Sequence, residues 1–545
     1  MRSVHYRGGR IFTGESSWAE SLVVRDGVIA HVGSLAEGDA LAGVDEVVEL
    51  DGALVLPGFV DAHTHLIGLG TSLRQVDLRD AVDLADIQRR IAAAAAASPD
   101  APRIVGRSWL YAPLRGEAPT RQMLDEAVPD RPVYLISNDV HTGWVNTAAL
   151  RELGIDDDTP DPIGGTITRD ADGVATGLLH ETVALGQMRD FLEGVETVES
   201  IDAALSAAFE HYRAAGVTAA IDMGLGAPDV AALERALAAG GGRLPIRVAG
   251  HWVIDRTSSS SSDLAQLAHV IELRERLRGP WLKVNGIKIM VDGVIDSCTA
   301  AMKKPFSDGS HPGPIWSLEA LTPLVVAADA AGLQIAMHAI GDEASDIALS
   351  ALETAIETNG ARPRRHRIEH LETVTEENVA RLARLGVIAS MQPVHADPAI
   401  QDTWRANLGD ERIDRGFPWP EFTNAGARLA FGTDAPTAPH PPLPNMFIAS
   451  TRKSALDPTL PPNIPTYALP LTEAIAHATA DAAYSGQWET LTGSLTEGLG
   501  ADFVVLDQDP FTLGPDALLT ARVTRAVIAG EEAAATRANE SKGAS

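Results

Sequence analysis

The sequence predicts an α/β fold: a (β/α)8 TIM barrel, with a small composite β-sandwich built from both termini and an inserted lid subdomain. Three observations carry this expectation. From about Thr197 the chain alternates helix-type and strand-type segments, and glycine closes helix after helix. β character appears near both ends of the chain. A stretch of more than a hundred residues, too long for a βα loop, separates the first apolar strand from the repeating pattern.

The elements follow in order. Short β-like runs at 21–24, 28–32 and 46–50 precede the apolar run 54–59, which reads as the first barrel strand. Helix 198–215 then leads to strand 217–221, helix 229–239 to strand 246–253, and helix 262–277 to strand 282–290. Helix 318–331 leads to strand 334–338, helix 343–358 to strand 367–370, helix 376–385 to strand 387–391, and helix 422–426 to strand 428–433. Gly216, Gly332, Gly386 and Gly426 sit where a left-handed residue ends a helix. Eight buried strands separated by helices mean a parallel sheet, and that number favours closure. After the helix at 471–483, β character returns at 502–506 and 523–528. The expected organisation is 1–56 and 484–535 as the two parts of the sandwich, 57–483 as the barrel with an insertion at about 71–195, and a polar tail at 536–545. The polyserine run 258–262 reads as a flexible loop.

Composition restricts the possible partners. Of 545 residues, 45% are hydrophobic and 22% charged, an ordinary globular balance. A formal charge of −30 repels nucleic acid and anionic membranes, so neither is an expected partner. Cys298 is the sole cysteine, which excludes an internal disulfide and fits a reducing compartment. The opening residues have no apolar signal core, and no apolar run is long enough for a membrane span. The expectation is a cytoplasmic protein acting on a small-molecule substrate, with a homodimer as the default assembly.

The strongest chemical signal is His63-Thr-His65 after Pro-Gly-Phe-Val-Asp-Ala. Residues i and i+2 of a strand point the same way, so two imidazoles meet at the barrel's C-terminal mouth, as zinc and related cations require. A lone His-x-His can equally be a surface or hydrogen-bonded pair. Here, however, His338, His370 and Asp434 also stand where apolar strands stop, the catalytic end of this architecture. Each alone could equally satisfy backbone groups or cap a helix, but together they imply a metal centre. Lys288 lies inside an apolar strand of a chain with only six lysines. A buried ammonium is costly. It needs either an acidic partner, such as Asp292, or conversion by CO₂ to a carbamate that bridges two cations. Lys283, nearer the start of the same strand, is the competing assignment.

The set His-x-His, Lys, His, His, Asp resembles the binuclear amidohydrolases. Narrower likenesses point to the amidohydrolase-3, YtcJ-like branch, which includes N-substituted formamide deformylase. They lie in the stretches around Asp139, His141, Trp144 and Asn146, Gly164 to Asp170, Lys288 to Gly293, His338 to Asp342, Glu369-His370, Gln392 to His395, Asp434 to Pro436, and Gly500 to Asp502. The likeness runs from about residue 5 to 530 and departs from the pattern at 294–298. It implies that His63, His65 and Asp434 hold a buried metal, that His338 and His370 hold an outer one, and that carboxylated Lys288 bridges them. One or two divalent ions are expected, zinc first among them. The implied reaction is hydrolysis of a small molecule's C–N bond, of the amide or N-substituted formamide type, by a hydroxide held on the metals, with Asp434 moving the proton.

Weaker candidates surround this set. His395 is read as a second catalytic group that orients substrate or stabilises an oxyanion, and also as a plain hydrogen-bonded loop histidine. His141, Trp144, Asp292 and Gln392 are candidate substrate contacts, with core packing the competing role for Trp144. Trp109, Tyr111, Trp404 and Trp419, in loops, are candidates to line an aromatic pocket. The alternatives in function are a heterocycle deaminase, or a lactone, carbamate or ester hydrolase on the same site. A non-catalytic scaffold would predict lost ligands, and none is missing.

Overall fold

A proline–glycine pair divides the first predicted barrel strand in two. In the computed structural model, which describes residues 2–14, 17–137 and 141–532, Leu54–Pro57 belongs to a sheet formed by the chain's two ends. The barrel begins instead with β1, Phe59–Thr64. Pro57 has no amide with which to continue a ladder. Gly58 passes so close to β2 that a Cβ would lie 2.4 Å from the Thr218 side chain. The expected tail at 536–545, and Asp139, lie outside the described residues.

The remaining barrel strands are β2 (Val217–Leu225), β3 (Arg247–Val253), β4 (Leu282–Met290), β5 (Gln334–Ala339), β6 (Arg367–His370), β7 (Ile388–Met391) and β8 (Leu429–Phe431). They pair in parallel and in sequence order from β1 to β8. At the C-terminal ends the seam between β8 and β1 is drawn together by Asp434 N–H to the His63 carbonyl, 2.7 Å, and by His65 N–H to the Ala435 carbonyl, 2.9 Å. Local chemistry explains the helix boundaries. Ser317 and Thr375 cap Leu318–Ala330 and Glu376–Leu385 through their side chains, and Gly386 ends the latter helix at φ 65°. The polyserine run is not a loop throughout: Ser259 caps Ser260–Arg276, so three of its serines form the first turn.

Strands from both ends of the chain share one eight-stranded sheet. Ser3–Gly14, Ser17–Arg25, Val28–Gly33, Glu46–Glu49 and Leu54–Pro57 come from the N-terminal side. Phe503–Leu506, Val523–Ile528 and Glu531–Glu532 come from the C-terminal side, and Phe503–Leu506 pairs antiparallel with Leu54–Pro57. Tyr6, Ile11, Leu22, Val55, Phe503 and Val527 form part of its apolar core. The buried ion pair Arg247–Asp502, 2.9 Å, ties this sheet to the start of β3.

Residues Gly70–Ala207 form a separate compact unit. Its six-stranded sheet runs in the order Gly165–Arg169, Ala175–Glu181, Thr142–Val145, Val133–Ser137, Ile104–Trp109, Val76–Asp77. Helix Leu84–Ala97 contributes Ile87 and Ile91 to its core, beside Trp109 and Trp144. Among the described residues, no helix is long and apolar enough to cross a membrane.

Candidate metal centre

Asp61, two residues before His63 on β1, is the internal anchor of the site. Fully buried, its carboxylate accepts from the amides of Thr433 (2.9 Å) and His63 (3.1 Å) and from the hydroxyls of Thr433 (2.6 Å) and Tyr212 (2.8 Å). One side chain therefore fixes the ends of β1 and β8, and with them His63 and Asp434. Burial raises the Asp61 pKa above the ordinary carboxyl value. Asp222, at the end of β2, similarly accepts from the amides of Leu66 (2.9 Å) and Gly224 (2.8 Å).

His63 is buried at the end of β1, and His65 lies just beyond the strand, a third exposed. The Nε2 atoms of both face one oxygen of Asp434, at 3.3 and 3.1 Å. Asp434 adopts φ 58°, which turns its side chain back toward them. Burial alone would raise the Asp434 pKa, but His63, His65 and His370 outweigh it and hold the group well below the usual carboxylate range. Hydrogen bonding to Asp434 likewise outweighs burial at His65 and raises its pKa.

His338 ends β5 and His370 ends β6, with ring centroids 4.5 Å apart; the rings of His370 and His63 are 4.9 Å apart. Each of the three buried imidazoles gives one ring nitrogen to an acceptor. His63 Nδ1 donates to Glu369 at 2.7 Å, His370 Nδ1 to the Gln392 side-chain carbonyl at 2.8 Å, and His338 Nε2 to the Gly293 carbonyl at 3.0 Å. The other nitrogens, His63 Nε2, His370 Nε2 and His338 Nδ1, are thereby left as lone pairs, the form a metal requires. Burial keeps His338 and His370 neutral, the former, with Lys288 adding to the effect, at a pKa of about 3 and the latter well below its usual value.

Lys288 is buried on β4, and burial lowers its pKa. Among the described residues its ammonium makes no hydrogen bond or ion pair. The expected alternative partner, Asp292, is committed elsewhere. Its carboxylate accepts from the amides of Ala301 (2.9 Å), Ile340 (3.0 Å) and Gly341 (2.9 Å), so it braces loops around β5, 3.7 Å from His338 Nε2, and does not pair with Lys288. Lys283 is no competitor either: its Nζ donates to the Gln487 carbonyl at 2.8 Å and lies over Trp488. His63 Nε2, buried beside Asp434 without a hydrogen-bond partner, fits a divalent cation, because its lone pair needs an electrophile; buried Lys288 could join it only as a neutral amine or as an anionic carbamate. Donor atoms of His63, His370 and Asp434 lie within 4.8 Å of one another.

The weaker candidates divide. His395, after β7, stacks parallel to His370 at 5.9 Å, and its Nε2 is 3.7 Å from the second oxygen of Asp434. Its Nδ1 meets Glu372 at 3.2 Å, and this carboxylate overrides the effect of burial to raise the imidazole's pKa. Gln392 is spent on His370 through its carbonyl, while its Nε2 is buried without a partner among the described residues. His141 and Trp144 belong to the Gly70–Ala207 unit. There His141 pairs with Glu181 at 2.9 Å. The Trp144 indole packs against Trp109 and donates to the Thr120 carbonyl, so it has a core role and not the expected substrate contact. Trp109, Trp404 and Trp419 are buried as well. Sequence reasoning missed Asp61, Arg367, Glu369 and Glu372 as site components. The only signal available for Glu372 was its spacing, His-x-Glu past a strand end, which repeats the logic of His-x-His.

Comparison with known proteins accords with this geometry. The model of the amidohydrolase family matches residues 46–534. The chain is 33% identical to the putative amidohydrolase YtcJ of Bacillus subtilis, covering 96% of this chain and 98% of that protein. It is 28% identical to N-substituted formamide deformylase of Arthrobacter pascens, covering 96% of each. The crystal structure of an uncharacterized metal-dependent hydrolase from Pyrococcus horikoshii superposes with a TM-score of 0.77 at 27% identity, over 94% of this chain and 99% of the other. The chain belongs to the amidohydrolase family and is a metal-dependent hydrolase.

Proposed function

We propose that the protein hydrolyses the C–N bond of a small N-substituted amide or formamide, with one or two divalent ions, zinc first among them. The observation that carries this reading is the convergence of His63 Nε2, His65 Nε2 and Asp434 on one point, with the lone pairs of His338 and His370 beside it. His63, His65 and Asp434 would hold the inner ion, His338 and His370 the outer one, and Lys288, as its carbamate, would bridge. When bound, such ions lower the pKa of water and polarise a carbonyl oxygen.

The protein's own groups handle the proton and the alignment. Asp434, kept ionised by the imidazoles around it, accepts the proton of the attacking water on a carboxylate oxygen and passes it to the leaving nitrogen. His395, fixed by Glu372 and facing the second Asp434 oxygen, donates to the oxygen that gains charge as the carbonyl is attacked. The unpaired Gln392 Nε2 supplies a further donor for substrate. The 28% identical deformylase supports the choice of bond.

The test is a panel of N-substituted formamides, acetamides, lactones and amino-heterocycles, assayed with as-purified, chelator-treated and metal-restored protein. The expected outcome is amine release from the amide-type substrates, lost on chelation and regained with zinc. Full activity in metal-free protein, or turnover confined to lactones or ring amines, would overturn the proposal.

A further inference from the structure

The barrel interior beneath the site contains an ion pair that metal binding alone does not require. Arg367 and Glu369 alternate on β6, so both side chains point inward, and both are fully buried. The guanidinium grips the carboxylate with two bonds, Nε to Oε1 at 2.6 Å and Nη2 to Oε2 at 2.9 Å. Nη2 also donates to the Ala62 carbonyl on β1, at 2.6 Å, and lies 2.5 Å from the Ser390 hydroxyl on β7; Nη1 reaches the Ser485 hydroxyl at 3.3 Å. The arginine therefore clamps β1, β6 and β7 together. Glu369 Oε2, held in place by this clamp, accepts from His63 Nδ1 at 2.7 Å.

Replacing such a pair by apolar residues of similar size is often neutral or stabilising, so stability alone gives no reason for it. The geometry explains it better. A neutral imidazole has two tautomers, and only the one protonated at Nδ1 presents the Nε2 lone pair to the point where His65 and Asp434 converge. Glu369 is acceptor-only and leaves Nδ1 no alternative to carrying the proton. Arg367 prevents the carboxylate from swinging away.

We propose that Glu369, clamped by Arg367, is the positioning residue that fixes His63 in its Nδ1–H tautomer and aims Nε2 at the metal. The proposal rests on the reading of His63 as a metal ligand. It extends that reading from the ligands to a buried arm reaching β7.

The test measures metal affinity and tautomer directly, without relying on turnover. Zinc and cobalt dissociation constants are obtained by competition with a chromogenic chelator for wild type, Glu369→Gln, the double variant Arg367→Met/Glu369→Leu, and His63→Ala. Histidine-labelled, metal-free protein is examined by long-range proton–nitrogen NMR, with His63 assigned from its loss in His63→Ala. The expected result is a pure Nδ1–H signal in wild type and a tautomer mixture in the folded variants, with metal affinity lowered about 10–100-fold. The double variant leaves no unpaired charge behind and serves if Glu369→Gln misfolds. Wild-type affinity in the folded double variant would overturn the proposal. So would a wild-type His63 protonated at Nε2, whatever the variants do. If His63→Ala itself binds metal like wild type, the error lies in the assignment of His63 as a ligand; if it loses metal while the double variant does not, the error lies in the role of Glu369.

Discussion

Asp61→Ala offers a sharp perturbation because the buried carboxylate holds four donors from three parts of the chain. The hydroxyls of Tyr212 and Thr433 can reorient, and Tyr212 has an alternative acceptor in Thr64 Oγ1, at 2.6 Å. The amides of Thr433 and His63 cannot, so alanine strands two buried N–H groups. At about 1–3 kcal/mol each, the expected loss is about 2–6 kcal/mol. Asp61→Asn keeps one carbonyl oxygen for both amides and offers an NH₂ group to hydroxyls that can accept, so its loss is expected to stay within about 1 kcal/mol. Function should follow the same order: Asp61→Ala frees both His63 and Asp434, and turnover falls by about 10²-fold for a misplacement near 1 Å. Urea unfolding of metal-free protein, metal content and turnover, measured on all three proteins, decide it. An Asp61→Ala protein as stable and as active as wild type would refute the anchoring role, as would an asparagine variant as damaged as the alanine one.

Further outcomes follow from the site. His63→Ala or His65→Ala should abolish turnover and deplete metal by elemental analysis while the far-ultraviolet spectrum stays native; wild-type turnover in either would remove it from the site. Lys288→Ala should lose metal and activity, with acetate restoring part of both, an effect that a lysine with a purely structural role would not give. Asp434→Asn should retain most metal while turnover falls by about 10²–10⁴-fold, as for a lost acid–base group. His251, buried inside the barrel with a pKa of about 3 set chiefly by burial, stays neutral in the folded protein while the unfolded chain protonates near 6.5. Stability is therefore unaffected by this group above pH 6.5 and falls by about 1.4 kcal/mol per unit below it, until its folded pKa is reached. His251→Gln should flatten the decline of the urea midpoint between pH 6.5 and 5, and an unchanged slope would contradict this account.

Much of the candidate site was legible because its proposed ligands obey one local rule. His338, His370 and Asp434 stand at or just past the ends of apolar runs, where alternation and strand length locate them without tertiary knowledge. The groups that support them obey no local rule. Asp61 and Tyr212 are separated by about 150 residues, and nothing local to strand 367–370 shows that Arg367 grips Glu369 or that Glu369 reaches His63 until the barrel closes around them. Boundaries failed for similarly physical reasons. The run 54–59 is continuously apolar, so nothing but Pro57–Gly58 marked the passage between two sheets. The long strand Ser3–Gly14 carries Gly8-Gly9 and a register shift between Arg7 and Ile11, which erase its alternation. Trp144 illustrates a different limit: an indole suits a pocket or a core equally well, and only packing distinguishes them.

The shared terminal sheet imposes an order on biosynthesis. Leu54–Pro57 waits for a neighbour, Phe503–Leu506, that is translated some 450 residues later. A ribosome adding about 5–20 residues per second therefore leaves that edge open for roughly 20–90 seconds after it emerges. Throughout that interval the nascent chain carries an apolar strand edge able to pair with the same edge on an adjacent polysome. The barrel strands, by contrast, find each partner as soon as the next one is made, apart from β1, which waits for β2 beyond the Gly70–Ala207 unit and for the segment after β8. Chaperone demand during expression should thus centre on a patch made early, far in sequence from the strand that completes it. A C-terminal truncation that removes Phe503–Leu506 would make the transient edge permanent, turning a delay in assembly into a standing hazard of aggregation.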